Sequence, residues 1–374
     1  MNETIRIFSD LPRKYAPLLR KAYVEGSQTD ESIYIDFENS KLYFFLRNKF
    51  DGRIKIELEK PDDLSISGIW VNNPTFLALM NEYPYIDFDS ENKTFLYGDT
   101  EEFKLTYSEE GVDKSKLDFF ESKNLDGFDT FSIKDSDRDI IMNSFYFMGS
   151  GVAQDKHLEG ITITGDKVVS YNGISMYEAS LSFKTEFPVT FISEFQSVLA
   201  FLYDIEVYSS ESRGSEVYIT SYDEEIIIAL QIASNLFCPD IHDESFRKNF
   251  EYDEYVCVNK EEIHDIISFF NDFRRGDKAN TYIQIGLDTK NDLTFLSLVS
   301  LGKKSKAKRT IEVTEFNEEL LNFSFLVHRE SLFKAISLMK GDNINLRYQE
   351  GCSSINIEDG DNENIHVVTT RFTT

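Results

Sequence analysis

Apolar residues along this chain fall into two alternating rhythms. In one they recur every three to four positions and predict helices; in the other they occupy every second position and predict strands half-buried in a sheet. The helical rhythm opens at "SDLPRKYAPLLRKAYVEG" (9–26), "KDSDRDIIMNSFYFMG" (134–149) and "NKEEIHDIISFFNDFRRG" (259–276). Alternating stretches follow, with turn residues near the centre: "SIYIDFENSKLYFFLRN" at Asn39-Ser40, "GITITGDKVVSYNG" at Gly165-Asp166 and "TYIQIGLDTKNDLTFLSLVS" at Lys290-Asn291. A second helical run lies in "NNPTFLALMNEYPYIDFDSEN" (72–92), "SEFQSVLAFLYDIEVYSSES" (193–212) and "HRESLFKAISLMKGDNINLRY" (328–348). It stops at a turn and passes into a strand holding Ile86, Ile205 or Ile344, and another strand follows in "TFLYG", "EVYIT" and "SSINIED".

The order helix, strands, helix, strands is thus met three times, in units of about 120 residues that share pattern rather than identity. Breaks near 114–127 and 246–254 predict domains at 1–122, 123–250 and 251–374. The expected fold class is α+β, two helices of each unit lying on β-sheet.

Each helix has an inward stripe. It is Leu11, Tyr15, Leu18, Leu19 and Ala22 in the first helix, with Arg13, Lys14, Arg20 and Lys21 on the other side. Pro12 suits a first turn, whereas Pro17 predicts a bend. Ile141, Ser144, Phe145 and Met148 face inward in the second unit and Arg138 outward. In the third unit Ile263, Ile266, Ile267 and Phe270 face inward and Arg274 and Arg275 close the helix. Leu332, Phe333, Ile336 and Met339 are the inward set of the last helix, leaving Lys334 and Ser337 outside. A single cation near a helix C-terminus is explained by the helix dipole. Recurrence across several helices is the signal, and it is incomplete: 73–83 and 193–203 carry no Lys or Arg, and Glu261, Asp265 and Asp272 share the third unit's first helix.

The cations stand out because 66 Asp and Glu face 39 Lys and Arg, a formal net charge of −27. That total argues against nucleic acid unless positive charge is gathered on one surface. The run "KKSKAKR" (303–309) reads either as a solvated hairpin tip or as a phosphate-contacting loop. A hydrophobic content of 41% with 14% aromatics supports well-formed cores. No stretch reaches the roughly 18 apolar residues of a membrane span. The N-terminus lacks a signal-peptide pattern, and the widely spaced Cys238, Cys257 and Cys352 fit a reduced, cytosolic protein.

Chemistry-bearing motifs are missing. His157, His242, His264, His328 and His366 have no ligand spacing, and neither a phosphate loop nor a nucleophile elbow is present. The acidic stretches "DSDRD" and "IEDGDNEN" do not follow the calcium-loop pattern and read as solvated turns. No catalytic residue, metal or cofactor is expected. Carboxylate pairs arise by chance among so many acids and identify no enzyme.

The C-terminal segment "FSFLVHRESLFKAISLMKGDNINLRYQEGCSSINIEDGDNENIHVVTTRF" resembles the closing stretch of the β sliding clamps of bacterial DNA polymerase III. In that family a helix, a short turn, a strand, a Ser-Pro-Val-like strand and an acidic turn lead to a terminal Val-Val-Met-Pro-Met-Arg. "HLEGITITGDKVVSYNGISMYEA" is similar to the family's "L-x-G … A-T-D-G-H-R-L-A", and "LFCPDIHDESF" to its "F-P-D-Y". The pattern is strongest over 127–374 and weaker before 120. Ile174 and Ser175 stand where the family has His-Arg, and Thr369, Thr370 and Arg371 replace its Met-Pro-Met run, drift that a bacteriophage-encoded member would show.

The resemblance implies three clamp-type domains forming half of a ring, closed head-to-tail by a second copy around duplex DNA. It implies a processivity factor in the bacterial or phage-infected cytoplasm that tethers a polymerase and a clamp loader through short peptides. The ring lining would carry Arg13, Lys14, Arg20, Lys21, Arg138, Arg274, Arg275 and Lys334. A partner-peptide groove would draw on Leu158, Tyr171, Gly173, Met176, Pro239, Val367, Val368, Thr369 and Thr370, and the dimer contact on Phe269, Phe270 and Phe273. Read as lone residues, the groove and dimer sets equally suit a core. The competing reading is a phage structural or interaction protein built of repeated α+β domains with no role on DNA.

Overall fold

The computed structural model describes residues 4–20, 31–46, 50–62, 65–97, 101–103, 107–108, 128–148, 160–172, 175–209, 216–221, 225–231, 252, 254–273, 282–301, 306–317, 324–348, 354–360 and 365–372. The first segment runs β1 (Thr4–Phe8), α1 (Asp10–Lys14), α2 (Ala16–Leu19), β2 (Glu31–Asp36), β3 (Lys41–Leu46), β4 (Phe50–Lys55), β5 (Leu58–Glu59), β6 (Gly68–Asn72), α3 (Asn73–Glu82), β7 (Tyr85–Asp89), β8 (Thr94–Tyr97), β9 (Glu101–Phe103) and β10 (Tyr107–Ser108). The second runs β11 (Asp129–Ile133), α4 (Asp135–Ser144), a 3-10 turn (Phe145–Phe147), β12 (Gly160–Tyr171), β13 (Ser175–Ile192), α5 (Ser193–Phe201), β14 (Ile205–Ser209), β15 (Glu216–Ser221) and β16 (Ile226–Gln231). The third runs β17 (Glu254–Asn259), α6 (Lys260–Phe273), β18 (Tyr282–Lys290), β19 (Leu293–Leu301), β20 (Lys306–Phe316), β21 (Ser324–His328), α7 (Arg329–Leu338), β22 (Asn343–Tyr348), β23 (Ser354–Asp359) and β24 (Ile365–Phe372).

The repeat seen in the pattern is a repeat of topology. In every segment the first strand pairs antiparallel with the strand that follows α3, α5 or α7. Ile7 lies opposite Ile86, Ile133 opposite Ile205, and Val258 opposite Ile344. All six of these side chains are buried, so each pairing sits at the base of a core.

The chain divides into two compact units. One comprises Met1–Arg138 and Thr185–Ser234. It holds a five-stranded sheet, β5-β1-β7-β8-β9, and a nine-stranded sheet, β10-β6-β2-β3-β4-β16-β15-β14-β11. The nine-stranded sheet joins the first two segments at β4 and β16, where Gly52 lies opposite Ile228 and, on its other side, opposite Phe44. A Cβ at Gly52 would sit 2.0 Å from the end of the Phe44 ring, so no larger side chain fits without moving that ring. Phe37 stacks on Phe88 at 5.7 Å between ring centres in this unit's core.

The other unit comprises Asp139–Lys184 and Asn235–Thr374. Its ten-stranded sheet runs β12-β13-β24-β21-β18-β19-β20-β17-β22-β23, with β24 also pairing to β23. Asn291 and Asp292 both take positive φ, 55° and 62°, and make the two-residue turn between β18 and β19, one position later than the expected Lys290-Asn291. Gly165, at φ 55°, marks another of the expected turns, inside the extended run Gly160–Tyr171, and Ser40, at φ 56°, marks the third.

Helix faces follow the apolar spacing with four exceptions among the described residues. Ile141, Ser144, Phe145, Ile263, Ile267, Phe270, Leu332, Ile336 and Met339 are buried as expected. Leu11, Ile266, Phe333 and Met148 are only half-buried. The first helix is broken at Tyr15, and Pro17 then occupies the first turn of α2, where its missing amide hydrogen is no loss. No helix among the described residues is long and apolar enough to cross a membrane.

Candidate functional site

The strands expected to floor a groove lie side by side in the second unit. β13 pairs antiparallel with β24, placing Ser175 opposite Thr369, Met176 opposite Val368 and Tyr177 opposite Val367. On its other side β24 meets β23, with Thr369 opposite Ile355 and Val367 opposite Ile357. Strand alternation turns Val367 and Thr369 inward, and both are fully buried; Met176 is nearly so. A hydroxyl inside a sheet needs a partner. Thr369 finds one in Ser175, whose Oγ donates to Thr369 Oγ1 at 3.0 Å. The turn before β13 is fixed by Asn172, whose amide donates to the Ser175 carbonyl at 3.1 Å and whose Oδ1 accepts from the Ser175 amide at 2.7 Å. Tyr171 stands beside it, 42% exposed. Leu158, Gly173 and Pro239 lie outside the described residues, and Thr370, next to Thr369, is placed by strand register alone.

A cleft of about 310 Å³ opens in the same unit. Tyr146, Phe147, Met148 and Asn172 line one part of it; His328, Glu330, Ser331 and Lys334, from the start of α7, line the rest. Met148, read from spacing as core, is instead a wall residue, because the helix ends at Ser144 and the following 3-10 turn rotates the stripe. Tyr146 is 54% exposed. His328 is the N-cap of α7: its Nδ1 accepts from the Ser331 amide at 3.4 Å and lies 3.2 Å from Ser331 Oγ. Lys334 pairs with Glu330 at 3.2 Å, one helical turn away.

Arg13, Lys14 and Arg138 have specific partners that periodicity did not reveal. Arg13 donates from Nε to the Met80 carbonyl at 3.2 Å and from Nη2 to the Tyr83 carbonyl at 2.9 Å, at the C-terminal end of α3. Arg138 does the same one segment later, donating to Leu199 at 2.5 Å and to Ala200 at 3.3 Å at the end of α5. In the third segment Lys260 Nζ donates to the Met339 carbonyl just after α7. Each segment thus places a cation from its first helix on the unsatisfied carbonyls of its second. Lys14 pairs with Glu225 at 2.5 Å, and Tyr15 donates its hydroxyl to the same carboxylate at 2.9 Å. Hydrogen bonding to Lys14 holds Glu225 below the usual glutamate value, and the same bond raises Lys14. Arg20 is exposed and has no ion pair among the described residues. Lys21, Arg274 and Arg275 lie outside them.

Phe269 and Phe270 diverge. Phe270 is core, whereas Phe269 is 41% exposed and lies under the Arg309 guanidinium, 4.9 Å from its ring centre. Phe273 ends α6, and its side chain lies outside the described residues. The described part of the basic run is strand: Lys306–Arg309 begin β20, and Lys308 pairs with Asp288, while 303–305 lie outside the described residues. β20 pairs with β19 across Lys306–Glu312 and with β17 only from Val313, so the far edge of its first half has no neighbour among the described residues.

The acidic stretches also have structural roles. Asp137 is buried, and Asp359 is fully buried, its Oδ2 accepting the amides of Lys340 at 2.7 Å and Gly341 at 3.0 Å. Asp359 is therefore a brace for the turn after α7 rather than part of a solvated turn. Among the described residues no cluster of three or more His, Cys, Asp or Glu is arranged to hold a metal.

No family model matches this sequence, and no curated protein matches it. Solved structures do. The DNA polymerase sliding clamp of Bacillus subtilis superposes with a TM-score of 0.78 at 11% identity, covering 100% of both chains. The Pseudomonas aeruginosa clamp gives 0.77 at 14% identity over 100% of both chains, and the DNA polymerase III beta subunit of Thermotoga maritima gives 0.74 at 11% over 99% of both. The P. aeruginosa clamp has also been solved bound to griselimycin, and that structure gives 0.74 at 13% identity. Identities this low speak to architecture alone, and over its whole length this chain has the fold of the bacterial DNA polymerase III beta sliding clamps.

Proposed function

We propose that this protein is a DNA sliding clamp, a non-enzymatic processivity factor that encircles duplex DNA and tethers a polymerase. The observation that carries the reading is the end-to-end likeness to sliding clamps. In this reading the segments 1–122, 123–250 and 251–374 are three domains of a half-ring, and a second copy supplies the other half. Retention is topological, so the lining needs only weak, sequence-independent attraction to phosphates. Exposed Arg20 is the best-placed described candidate for such a contact, together with Lys21, Arg274 and Arg275 of the sequence.

The edge of the first half of β20 that has no neighbour among the described residues, with Phe269 and Arg309 beside it, supports a role in joining the second copy, since an unpaired edge is a natural pairing surface. The β13–β24 floor and the cleft beside it support capture of a short peptide from the polymerase or clamp loader, with an apolar anchor against Met148 and Tyr146. The replaced His-Arg and Met-Pro-Met positions favour a partner sequence different from the family's usual one. The place of action is the cytoplasm of a bacterial or phage-infected cell.

The test is retention on nicked circular DNA, loaded by the cognate loader, before and after linearisation. A threaded ring is retained on the circle and slides off the cut ends. A protein that is monomeric at micromolar concentration, or whose retention ignores linearisation, is not a clamp.

A further inference from the structure

We infer that Tyr177 is a positioning residue for the partner groove: its ring and hydroxyl fix the cleft wall to the strand pair that forms the floor. The inference rests on the groove reading above and adds a residue to it.

Tyr177 is fully buried on β13, with its backbone opposite Val367 of β24. Its ring stacks on that of Phe147, 5.6 Å between centres and 11° from parallel. Its hydroxyl donates to the Ile140 carbonyl in α4 at 3.2 Å. One floor residue therefore touches both the helix that precedes the cleft wall and the wall itself.

The neighbouring strand makes a matching attachment. Ser170 of β12 donates its hydroxyl to the Ser144 carbonyl at 2.6 Å, and both serines are buried. Ser144 is the last residue of α4, and the 3-10 turn Phe145–Phe147 follows directly. The Ser170 and Tyr177 bonds thus pin the end of α4 to two adjacent strands. Tyr146, Phe147 and Met148 line the cleft just beyond that point, Tyr146 exposed and Phe147 buried against Tyr177. The wall's position is set by these attachments, because a 3-10 turn has weak internal hydrogen bonds of its own. Burial pushes the Tyr177 phenol far above its usual value, so it stays protonated and able to donate at every working pH.

Griselimycin, the ligand of the similar P. aeruginosa clamp, serves as the probe. In the wild-type protein it is expected to bind and to slow amide exchange at 145–148 and 171–176. Tyr177→Phe keeps the ring stack and loses the bond to Ile140. Its affinity should fall about five-fold, the effect of one neutral hydrogen bond. Tyr177→Leu, which also loses the stack, should fall about ten-fold or more and show faster exchange at 145–148 without ligand. The particle mass in solution and the far-ultraviolet circular dichroism should be unchanged in both, which a general loss of structure would not allow. Wild-type protein that does not bind the probe, or binds it without protecting those segments, overturns the groove reading and this inference with it. Wild-type binding with unchanged affinity in Tyr177→Phe and Tyr177→Leu overturns the inference alone. If Tyr177→Leu does not fold, Tyr177→Phe decides.

Discussion

Arg138 donates its Nε–H to the carbonyl of Leu199 at 2.5 Å, across 61 residues of sequence, and its guanidinium lies 4.0 Å from the Tyr203 ring centre. Arg13 holds the same relation to the end of α3, so the contact is a property of the repeat and not of one site. Arg138→Ala should lower stability by about 1–2 kcal/mol, from two lost carbonyl bonds and a lost ring contact. Arg138→Lys should recover only part, because an ammonium cannot reproduce the planar fork. Denaturant unfolding measures both. An Arg138→Ala variant of unchanged stability but weakened DNA retention would reverse the assignment.

Arg20 provides the contrast. It is exposed and has no ion pair among the described residues, so Arg20→Ala should leave the unfolding midpoint within experimental error. If Arg20 faces phosphate, the slope of DNA affinity against salt, on a log–log plot, should fall by about one for each contact removed. Titrating DNA binding over a range of salt concentrations, with Arg138→Lys alongside, separates a cation that holds the fold from one that meets DNA.

The inward faces of the helices were legible in the sequence because periodicity records which side of a helix is dry. Ile141, Ile263, Ile267, Leu332 and Ile336 follow it without exception. Periodicity does not record what lies across the gap. Arg13 and Arg138 were visible as outward cations, yet their carbonyl partners lie 67 and 61 residues away and are found only once the chain has folded. Asp359 was hidden for the opposite reason: its neighbours in sequence are acidic and polar, and only the turn after α7 shows why it is buried. Tyr177 carries no sign of its place in the sequence, since neither its ring contact nor its bond to Ile140 has a local signature.

His328 is an uncommon N-cap, an imidazole in place of the usual hydroxyl or carboxylate. His328→Ala should destabilise the protein by about 1 kcal/mol and speed amide exchange at Ser331. His328→Asn restores an acceptor at the same place and should be the milder of the two. Since His328 also lines the cleft, the two variants separate loss of the helix cap from loss of a lining side chain. Peptide or griselimycin affinity that falls in both, while stability falls mainly in Ala, assigns the imidazole to the ligand.

Gly52 should tolerate no side chain. Gly52→Val drives its branches into the Phe44 ring at the β4–β16 junction and should cost about 3 kcal/mol or more, or prevent folding. Gly52→Ala is the gentler probe. Combined with Phe44→Leu, which clears the space, its effect should be smaller than the sum of the two single changes, as expected for residues in direct contact. Additive losses measured by denaturant unfolding would mean that the ring moves aside freely.

Asp89 should govern part of the acid limb of stability. Its carboxylate accepts the Asn92 amide at 3.0 Å, the Asn92 side chain at 2.8 Å and the Glu91 amide at 3.0 Å, in a turn that closes on Lys93 at φ 57°. These bonds, led by the Asn92 amide, favour the charged form and hold the carboxyl below its ordinary 3.8. A carboxyl depressed in the folded state contributes its full stabilisation above the unfolded value, and loses it as the pH falls through the lower folded value. Thermal midpoints of wild type should therefore drop below about pH 4, and part of that drop should vanish in Asp89→Asn, which cannot titrate. The variant should be less stable than wild type at neutral pH, and the two curves should converge as the solution is acidified. Curves that stay parallel down to about pH 2 would mean that the Asp89 carboxylate is no better bonded in the folded chain than in the unfolded one.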